Sequence, residues 1–350
     1  MPIKNTKLWN AKIAKKDEFY TQLSDIEDEL RHYKEHFRWK TVLCNCDDPR
    51  ISNFFHYFAY NFEHLWLKRL ITTCYKNQNP DLFTLNESEK AVYLIYDGDK
   101  NWNNIPDMNE IWINNLKWDW DFRSEECIEL LKQADIVVTN PPFSLFKEYF
   151  QQLIKYEKKF LIMWNHNALH YTEIFPLIME NKVWLWYNSN KTIRFALPDY
   201  YDKYEEIIDW VKYWKVPSIA WYTNLEIQKR HEPIILYKKY NEEDYPKYDN
   251  FDAINVERVS DIPCDYYWTM WVPDTFLDIY NPDEFEILWA DCIPEYAEKL
   301  WIDRIWEDRI AHYRANWWTW HYTANMRSLV ITIKWKPKKV YSRILIRRKK

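Results

Sequence analysis

Glycine is almost absent from this chain of 350 residues, which contains 1 Gly and 22 Trp. Glycine usually makes up roughly 7% of a protein and supplies the positive-φ backbone of tight turns. The single glycine and the tryptophans together occupy about that share. Tryptophans also stand in segments that look like turns or close backbone approaches, for which a bulky side chain is unsuited, namely 118–121, 268–273 and 316–320.

We therefore predict that most of these tryptophans are glycines in the native protein. A source organism that reads the UGA codon as glycine, with its gene translated by a table that reads UGA as tryptophan, would give this composition. The alternative is a protein that is truly rich in tryptophan.

Other absences limit the class of protein. The six cysteines have no spacing typical of a disulfide framework or a zinc site. No apolar run is long enough for a membrane span, and no signal peptide is found, so we expect a cytoplasmic protein without a membrane partner. A net charge of −5 excludes a globally basic nucleic-acid binder. Any DNA contact must come from local patches such as 334–339 and the tail 347–350, although such a tail is equally typical of a solvated terminus.

Strands and helices alternate through the first half of the chain, which favours an α/β fold with a parallel, doubly wound sheet. Later apolar stretches predict further strands that form the antiparallel end of a mixed sheet. We expect a domain boundary near residue 240. The predicted strands are 41–46, 70–75, 91–96, 135–139, 159–164, 182–187, 192–197, 218–224 and 233–238, and the predicted helices are 22–38, 54–62, 124–133 and 144–156.

The most informative motif is Asn140-Pro141-Pro142-Phe143, which follows the buried strand 135–139. The prolines lack backbone donors and fix φ, so the loop is stiff and presents carbonyl oxygens. The Asn140 side-chain oxygen and the Pro141 carbonyl can both accept hydrogen bonds from one NH2 group, while Phe143 can stack on the ring that carries it. This arrangement suits the methylation of a planar amine. The plain alternative is an ordinary Asx-Pro turn.

Two acidic loops, Asp47-Asp48-Pro49-Arg50 and Trp118-Asp119-Trp120-Asp121, come from neighbouring strands of the predicted sheet. Ligands of open α/β sheets bind beyond the carboxyl ends of the strands. Carboxylates there suit the ribose hydroxyls and adenine amine of an adenosine-containing cofactor. For Asp47 and Asp121 the alternative is helix N-capping, which aspartate also does well.

With these motifs in place, the chain resembles the EcoRI modification methylase family of DNA adenine methyltransferases over nearly its whole length. The resemblance is densest in residues 17–75 and 119–165. Within it, the positions of Trp66, Trp118, Trp120, Trp186, Trp268 and Trp271 are usually glycine, whereas Trp184 and Trp221 match aromatic positions. The region 290–335 is longer than in the family, so the DNA sequence that is recognised does not carry over.

The resemblance implies a Rossmann-like fold that depends on S-adenosylmethionine, with a mixed, mostly parallel sheet in residues 1–240 and a DNA-recognition region in 241–350. It also implies a restriction-modification setting, double-stranded DNA as partner, a monomer and no metal. The catalytic residues implied are Asn140, Pro141 and Phe143, and the cofactor-binding residues implied are Phe19, Tyr20, Thr21, Asn45, Asp47, Pro49 and Asp121.

Other functions stay open at this point. Loops of the Asn-Pro-Pro-aromatic type also serve RNA adenines and protein glutamine amides, and a decayed methylase could survive as a non-catalytic DNA-binding protein. Groove-reading residues are expected in the C-terminal part, where His312, Arg314 and Asn316 are candidates, with a plain surface role as the alternative.

Overall fold

The structure is a computed structural model. It describes residues 20–45, 52–74, 91–103, 106–107, 109–117, 121–141, 145–197, 204–302, 305–316, 329–333, 336–338 and 343–350. Two compact units are present: the first comprises residues 1–168 and 185–225, and the second comprises 169–184 and 226–350. These units are defined by contacts, whereas the predicted regions 1–240 and 241–350 are defined by function, so the functional boundary stays a prediction.

The helices, numbered in chain order, begin and end as follows: α1 Leu23–Leu30, α2 Lys34–Phe37, α3 Asn53–Tyr60, α4 Glu125–Gln133, α5 Phe146–Lys155, α6 Phe175–Met179, α7 Pro294–Lys299 and α8 Glu307–Asn316. The strands are β1 Thr41–Asn45, β2 Arg69–Cys74, β3 Val92–Tyr96, β4 Ile111–Asn115, β5 Ile136–Thr139, β6 Lys159–Asn165, β7 Trp184–Leu197, β8 Glu206–Ile208, β9 Val211–Thr223, β10 Ile254–Asn255, β11 Thr269–Pro273, β12 Phe285–Ala290, β13 Ile331–Ile333, β14 Lys336–Lys338 and β15 Arg343–Arg348.

The first unit is built on a nine-stranded mixed sheet with the order β4-β3-β2-β1-β5-β6-β9-β7, to which β8 is added beside β9. The four central strands β2, β1, β5 and β6 are parallel. The pairs β2–β3, β3–β4 and β6–β9 are antiparallel. The predicted mixed α/β sheet is therefore confirmed, with its parallel part in the centre.

Helical periodicity explains how this sheet is covered. Phe54, Phe55 and Phe58 recur on one face of α3 and are all buried, as predicted. Ser52 caps the start of α3 by accepting a hydrogen bond from the Phe55 amide. Strand β1 is buried along its whole length, which is typical of a strand covered by helices on both faces.

The second unit contains a four-stranded sheet with the order β10-β11-β15-β12. The last strand of the chain, β15, lies inside this sheet and is antiparallel to both neighbours. Arg347 binds Glu286, and Arg348 donates to the Cys264 carbonyl. Arg347 and Arg348 therefore belong to a strand rather than to a solvated terminus, and contact of this basic segment with DNA stays a prediction.

Two further predictions of secondary structure need correction. Residues 233–238 do not form a strand and make only an isolated bridge between Lys238 and Pro263. Strand β4 was not predicted, because Ile111-Trp112-Ile113-Asn114-Asn115 has weak alternation and lies at the sheet edge. The single helix predicted over 22–38 is split into α1 and α2. Its apolar residues Ile26, Leu30, Tyr33 and Phe37 are buried, whereas Leu23 is 38% exposed.

Positive backbone φ angles identify particular tryptophans as glycine positions. Among the described residues, ten that are not glycine have positive φ, and five of these are the tryptophans Trp39, Trp66, Trp102, Trp210 and Trp301. Left-handed backbone costs an L-residue roughly 1–2 kcal/mol, and a β-carbon on a bulky side chain makes it rare. All five side chains are exposed, so packing against the core does not offset this strain.

Two of these sites lie in motifs that favour glycine for a known reason. Asp209 and Trp210 form the two-residue loop between paired Ile208 and Val211, with φ of 47° and 66°. A loop with both φ values positive is a type I′ turn, for which Asp-Gly is a preferred sequence. Trp301, with φ of 59°, follows α7, and the Ile302 amide donates back to the Ala297 carbonyl over 2.9 Å. This is the Schellman end of a helix, where glycine is usual.

A different set of tryptophans occupies the cores of the two units. Trp221 is fully buried and lies edge-on to Phe54, with ring centroids 6.1 Å apart. Trp184 is covered by the Arg230 guanidinium, 3.8 Å from its ring centroid. These are the two positions expected to be true tryptophans. Trp271 is also buried and stacks on Trp289. Its φ is not positive, so backbone geometry does not identify it as a glycine position.

We predict that Trp210→Gly and Trp301→Gly each raise the free energy of unfolding by about 1 kcal/mol, because each relieves a left-handed L-residue. Trp221→Gly is the matched control and should lower it by about 3–5 kcal/mol through loss of a buried indole. Urea unfolding at constant m-value measures all three. Destabilisation by both exposed substitutions would contradict the glycine assignment, as would tryptophan at these positions in peptide mass spectra of the native protein.

Candidate active site

The parallel centre of the sheet brings the candidate residues to one edge. Asn45 is the last residue of β1, and Asn140 directly follows β5. The two strands are parallel neighbours, with Val42 opposite Ile136 and Leu43 opposite Val137. Their carboxyl ends therefore open onto the same crevice, which is where ligands of such sheets bind.

Hydrogen bonds lock the ends of these strands together. The Thr139 hydroxyl donates to the Asn45 carbonyl, and the Tyr149 hydroxyl donates to the Asn45 side-chain oxygen. Thr139, Asn45 and Tyr149 are all buried, so these bonds form away from competing water. The Asn45 side-chain oxygen is therefore engaged within the protein at the end of β1.

The start of the proline loop is buried beside this network. Asn140 is only 6% exposed, and Pro141 is also buried. Pro141 has no N–H, its ring fixes its φ and the proline that follows restricts its ψ, so its backbone has few accessible conformations. Pro142 and Phe143 lie outside the described residues. An amide oxygen and a stiff carbonyl at the mouth of a crevice form a pair of acceptors for a planar amine.

Asp121 is engaged by a cation. Its carboxylate accepts from the Arg123 guanidinium through Nε at 2.8 Å and through the terminal nitrogen at 2.5 Å, as well as from the Arg123 amide. The hydrogen bonds from Arg123 lower the pKa of Asp121, so the carboxylate stays charged. Arg123 also binds Glu148 on α5 at 2.6 Å. Helix α4 is capped by Ser124 rather than Asp121, so N-capping does not explain Asp121.

Phe122 ties the Asp121 segment to α5, the helix that follows the proline loop. It is buried and meets Tyr149 edge-on, with ring centroids 5.0 Å apart. The Phe122 carbonyl accepts from Gln152 on α5 at 2.9 Å. Because Tyr149 also holds Asn45, one helix face contacts both the end of β1 and the segment before α4.

Tyr20 and Thr21 approach the same edge from the N-terminal side. The backbone of Tyr20 pairs with Ala196 of β7 through two bonds of 3.0 Å. The Thr21 carbonyl accepts from Asn53, the first residue of α3, at 2.7 Å. Thr21 is 4% exposed, and its hydroxyl has no hydrogen-bond partner among the described residues. A buried hydroxyl in this state is uncommon and is usually met by a water, an ion or a ligand.

The remaining predicted site residues, Phe19, Asp47, Pro49 and Phe143, lie outside the described part of the chain. The groove-reading candidates His312, Arg314 and Asn316 lie on α8. Within the described ranges no group of three or more His, Cys, Asp or Glu is placed to hold a metal ion, and no helix is long and apolar enough to cross a membrane.

Sequence reasoning missed Tyr149 and Arg123, which hold Asn45 and Asp121. The available signal in the sequence is the pair Glu148-Tyr149, which lies about one turn into the predicted helix after the proline loop. Their partners are distant in the chain, however, so only the folded sheet reveals the contacts.

Comparison with known proteins agrees with this geometry. The model of the family described as "Adenine-specific methyltransferase EcoRI" matches residues 7–349. The Type II methyltransferase M.EcoRI of Escherichia coli is 49% identical over 291 residues, which cover 81% of this chain and 89% of that protein. No solved structure gives a significant match.

Two mycoplasma proteins are also similar. The Type II methyltransferase M.MgeORF184P of Mycoplasma genitalium is 39% identical over 292 residues, covering 81% of this chain and 85% of its own. The Type II methyltransferase M.MpnI of Mycoplasma pneumoniae is 38% identical over 293 residues, covering 81% and 84%. A family match over nearly the whole chain, joined to an Asn-Pro-Pro-Phe loop at the carboxyl edge of the sheet, shows that this protein belongs to the EcoRI family of adenine-specific methyltransferases.

Proposed function

We propose that this protein transfers a methyl group from S-adenosylmethionine to the exocyclic 6-amino group of adenine in duplex DNA. The observation that carries the proposal is the position of Asn140 and Pro141, buried after β5 at the edge where β1 also ends. Membership of the adenine-specific family fits a crevice of this kind.

The described residues fit an S-adenosylmethionine site. The buried Thr21 hydroxyl has unused hydrogen-bonding capacity and lies beside the first residue of α3, the helix that follows β1. Asp121 keeps about one lone-pair site, on Oδ2, beyond the three used by Arg123, which suits a hydroxyl or amine group. When bound, S-adenosylmethionine supplies a methyl group on a positively charged sulfur. Phe19, Tyr20, Asn45, Asp47 and Pro49 are proposed to complete the pocket.

The protein's contribution to chemistry is to make the amine nucleophilic. The lone pair of the adenine amine is delocalised into the ring, so the free base is a poor nucleophile. The Asn140 side-chain oxygen and the Pro141 carbonyl accept hydrogen bonds from the two amine hydrogens and draw them out of the ring plane. The localised lone pair would then attack the methyl carbon in line as the carbon–sulfur bond breaks, which would leave neutral S-adenosylhomocysteine and release one amine proton to solvent. Holding both reactants in this geometry supplies most of the rate gain.

The target adenine must leave the duplex to reach this crevice. Flipping a base out costs a few kcal/mol of stacking and pairing, and stacking on Phe143 offsets part of it. Recognition of the DNA sequence is proposed to lie in residues 241–350, through contacts to base edges in the grooves. A monomer in the cytoplasm is the expected working state.

Asn140→Ala should lower kcat by at least about 100-fold, the scale seen when one preorganised polar contact to a reacting group is removed. The dissociation constant for S-adenosylmethionine should change little, because Asn140 contacts the base. Tritiated-methyl transfer measures the first quantity and calorimetry the second. Asn140→Asp is the matched control, since it keeps an acceptor oxygen and should retain more activity than the alanine variant. Near-normal methylation by Asn140→Ala would reject the site.

Tyr149→Phe removes the donor to the buried Asn45 oxygen and should destabilise the protein by about 1–3 kcal/mol, the cost of an unsatisfied buried group. Because Asn45 sets the end of β1, the KM for S-adenosylmethionine should rise while kcat changes less. Tyr156→Phe, on a half-exposed tyrosine at the end of α5, is the matched control. Equal behaviour of the two variants would remove Tyr149 from the site.

The class of substrate is tested by offering the same enzyme unmethylated duplex DNA, total RNA and a glutamine-containing peptide with tritiated S-adenosylmethionine. Transfer to DNA with N6-methyladenine as product is expected. Transfer to RNA or peptide alone would replace the proposal by one of those functions. Cofactor binding without transfer to any of them would indicate a non-catalytic DNA-binding relic.

A further inference from the structure

An extension of the sheet projects from the edge that carries Asn140. Strand β9 runs antiparallel to β6 and pairs with it only from Ile219, opposite Asn165, to Thr223. Because Asn165 is the carboxyl end of β6, residues 211–218 of β9 lie beyond that end. At about 3.3 Å per residue this is roughly 26 Å of strand. The extension therefore begins at the active-site edge of the first unit and continues outward.

Backbone features separate this extension from the core. Residues 219–223 are buried, whereas residues 211–218 are half-buried or exposed. Pro217 cannot donate to the ladder, and Ser218 has a φ of 57°. Strand β8 pairs with β9 from Glu206 opposite Tyr213 to Ile208 opposite Val211. The result is a β-ribbon that leaves the core at residues 217–218.

A cavity of about 370 Å³ lies at the foot of this ribbon. Its lining is mostly polar and includes two cations, Arg194 of β7 and Lys215 of β9. The complete lining is Gln22, Ser24, Asp25, Thr192, Arg194, Ile208, Tyr213 and Lys215. Gln22 directly follows Thr21, and the backbone pair between Tyr20 and Ala196 joins this wall to β7. The cavity wall is thus next in the chain to Thr21, one of the proposed cofactor-binding residues.

Two cationic donors make the cavity suitable for an anion. Arg194 and Lys215 both bind Glu206, at 2.7 Å and 3.3 Å. Each keeps N–H donors beyond that contact, because a guanidinium has five and an ammonium has three. Asp25 is the single acid in the lining, and burial raises the pKa of its carboxyl, although Lys191 and Arg194 act in the opposite direction. Hydroxyls of Ser24 and Thr192 and the Gln22 amide add neutral donors.

We propose that this cavity, the ribbon-foot pocket, binds a backbone phosphate of duplex DNA beside the flipped adenine, with Arg194 and Lys215 as the phosphate contacts. The proposal rests on the proposed function, because it needs a duplex across the active-site edge. Phosphate contacts of this kind fix the register of a protein on DNA without reading the sequence. The ribbon-foot pocket would hold the strand while Asn140 and Pro141 hold its base.

The test compares charge-removing variants of the full chain by binding a short, unmethylated duplex of mixed sequence at several salt concentrations. Arg194→Gln with Lys215→Gln should lower the slope of log K against log salt by about 2 and weaken binding on the order of tenfold at low salt. The matched control is Lys132→Gln with Lys155→Gln, exposed cations at the ends of α4 and α5. These ends precede β5 and β6 and so lie at the opposite edge, where no effect is expected.

A conservative variant separates lost charge from lost structure. Arg194→Lys with Lys215→Arg keeps both cations beside Glu206 and should retain the wild-type salt slope. If the glutamine variant matches the Lys132 and Lys155 control in slope and affinity while the wild-type protein methylates duplex DNA, the ribbon-foot pocket is wrong and the proposed function stands. If the conservative variant loses as much slope as the glutamine variant, the effect is structural and the pocket is also rejected. Wild-type protein that neither binds nor methylates duplex DNA would reject the function and the pocket together.

Discussion

The active site depends on the parallel pairing of β1 with β5. This pairing fixes where Asn45 and Asn140 lie. A change of one residue in register would move the side chains of the shifted strand to the opposite face of the sheet. The bonds from Thr139 and Tyr149 to Asn45 add side-chain contacts at the point where ladder bonding stops. The proline loop begins directly after β5, at the strand end that these bonds hold in place. A stiff loop keeps a constant position only when the residue from which it starts is itself fixed.

The same constraint explains the contacts around the site. Arg123 links Asp121 to Glu148, and Phe122 packs on Tyr149. Both links end on α5, the helix that follows the proline loop. Thr21 is held by Asn53 at the start of α3, the helix that follows β1. Segments far apart in sequence are thus attached to the two helices that follow β1 and β5.

Much of this could be predicted from the sequence, for physical reasons that differ by element. The central strands were predictable because they are buried on both faces and appear as continuous apolar runs, as in Ile136-Val137-Val138. The edge strand β4 was not, because an exposed strand lacks that signal. Asn140 and Pro141 were found through a motif that is local in sequence, whereas the roles of Tyr149 and Arg123 depend on partners that only folding brings near. The strand at the basic C-terminus could not be predicted from charge, because charge alone does not reveal strand pairing.

Backbone geometry adds what composition alone could not. The excess of tryptophan suggested glycine positions in general, while positive φ at Trp210 and Trp301 identifies individual ones by the turn or helix end that each occupies. Buried Trp221 shows that the same residue type also serves as core. The two groups differ in physical setting, and the sequence by itself does not separate them.

The central claim is that a stiff Asn-Pro acceptor pair at the end of β5 methylates adenine in duplex DNA. The most direct measurement is a genome-wide map of methylated bases in a methylation-free host that expresses the chain with glycine at its positive-φ tryptophan positions. The account predicts N6-methyladenine at one recurring sequence, and none when Asn140 is alanine. Unmodified adenines with the intact chain, or an unchanged map with the alanine variant, would contradict it.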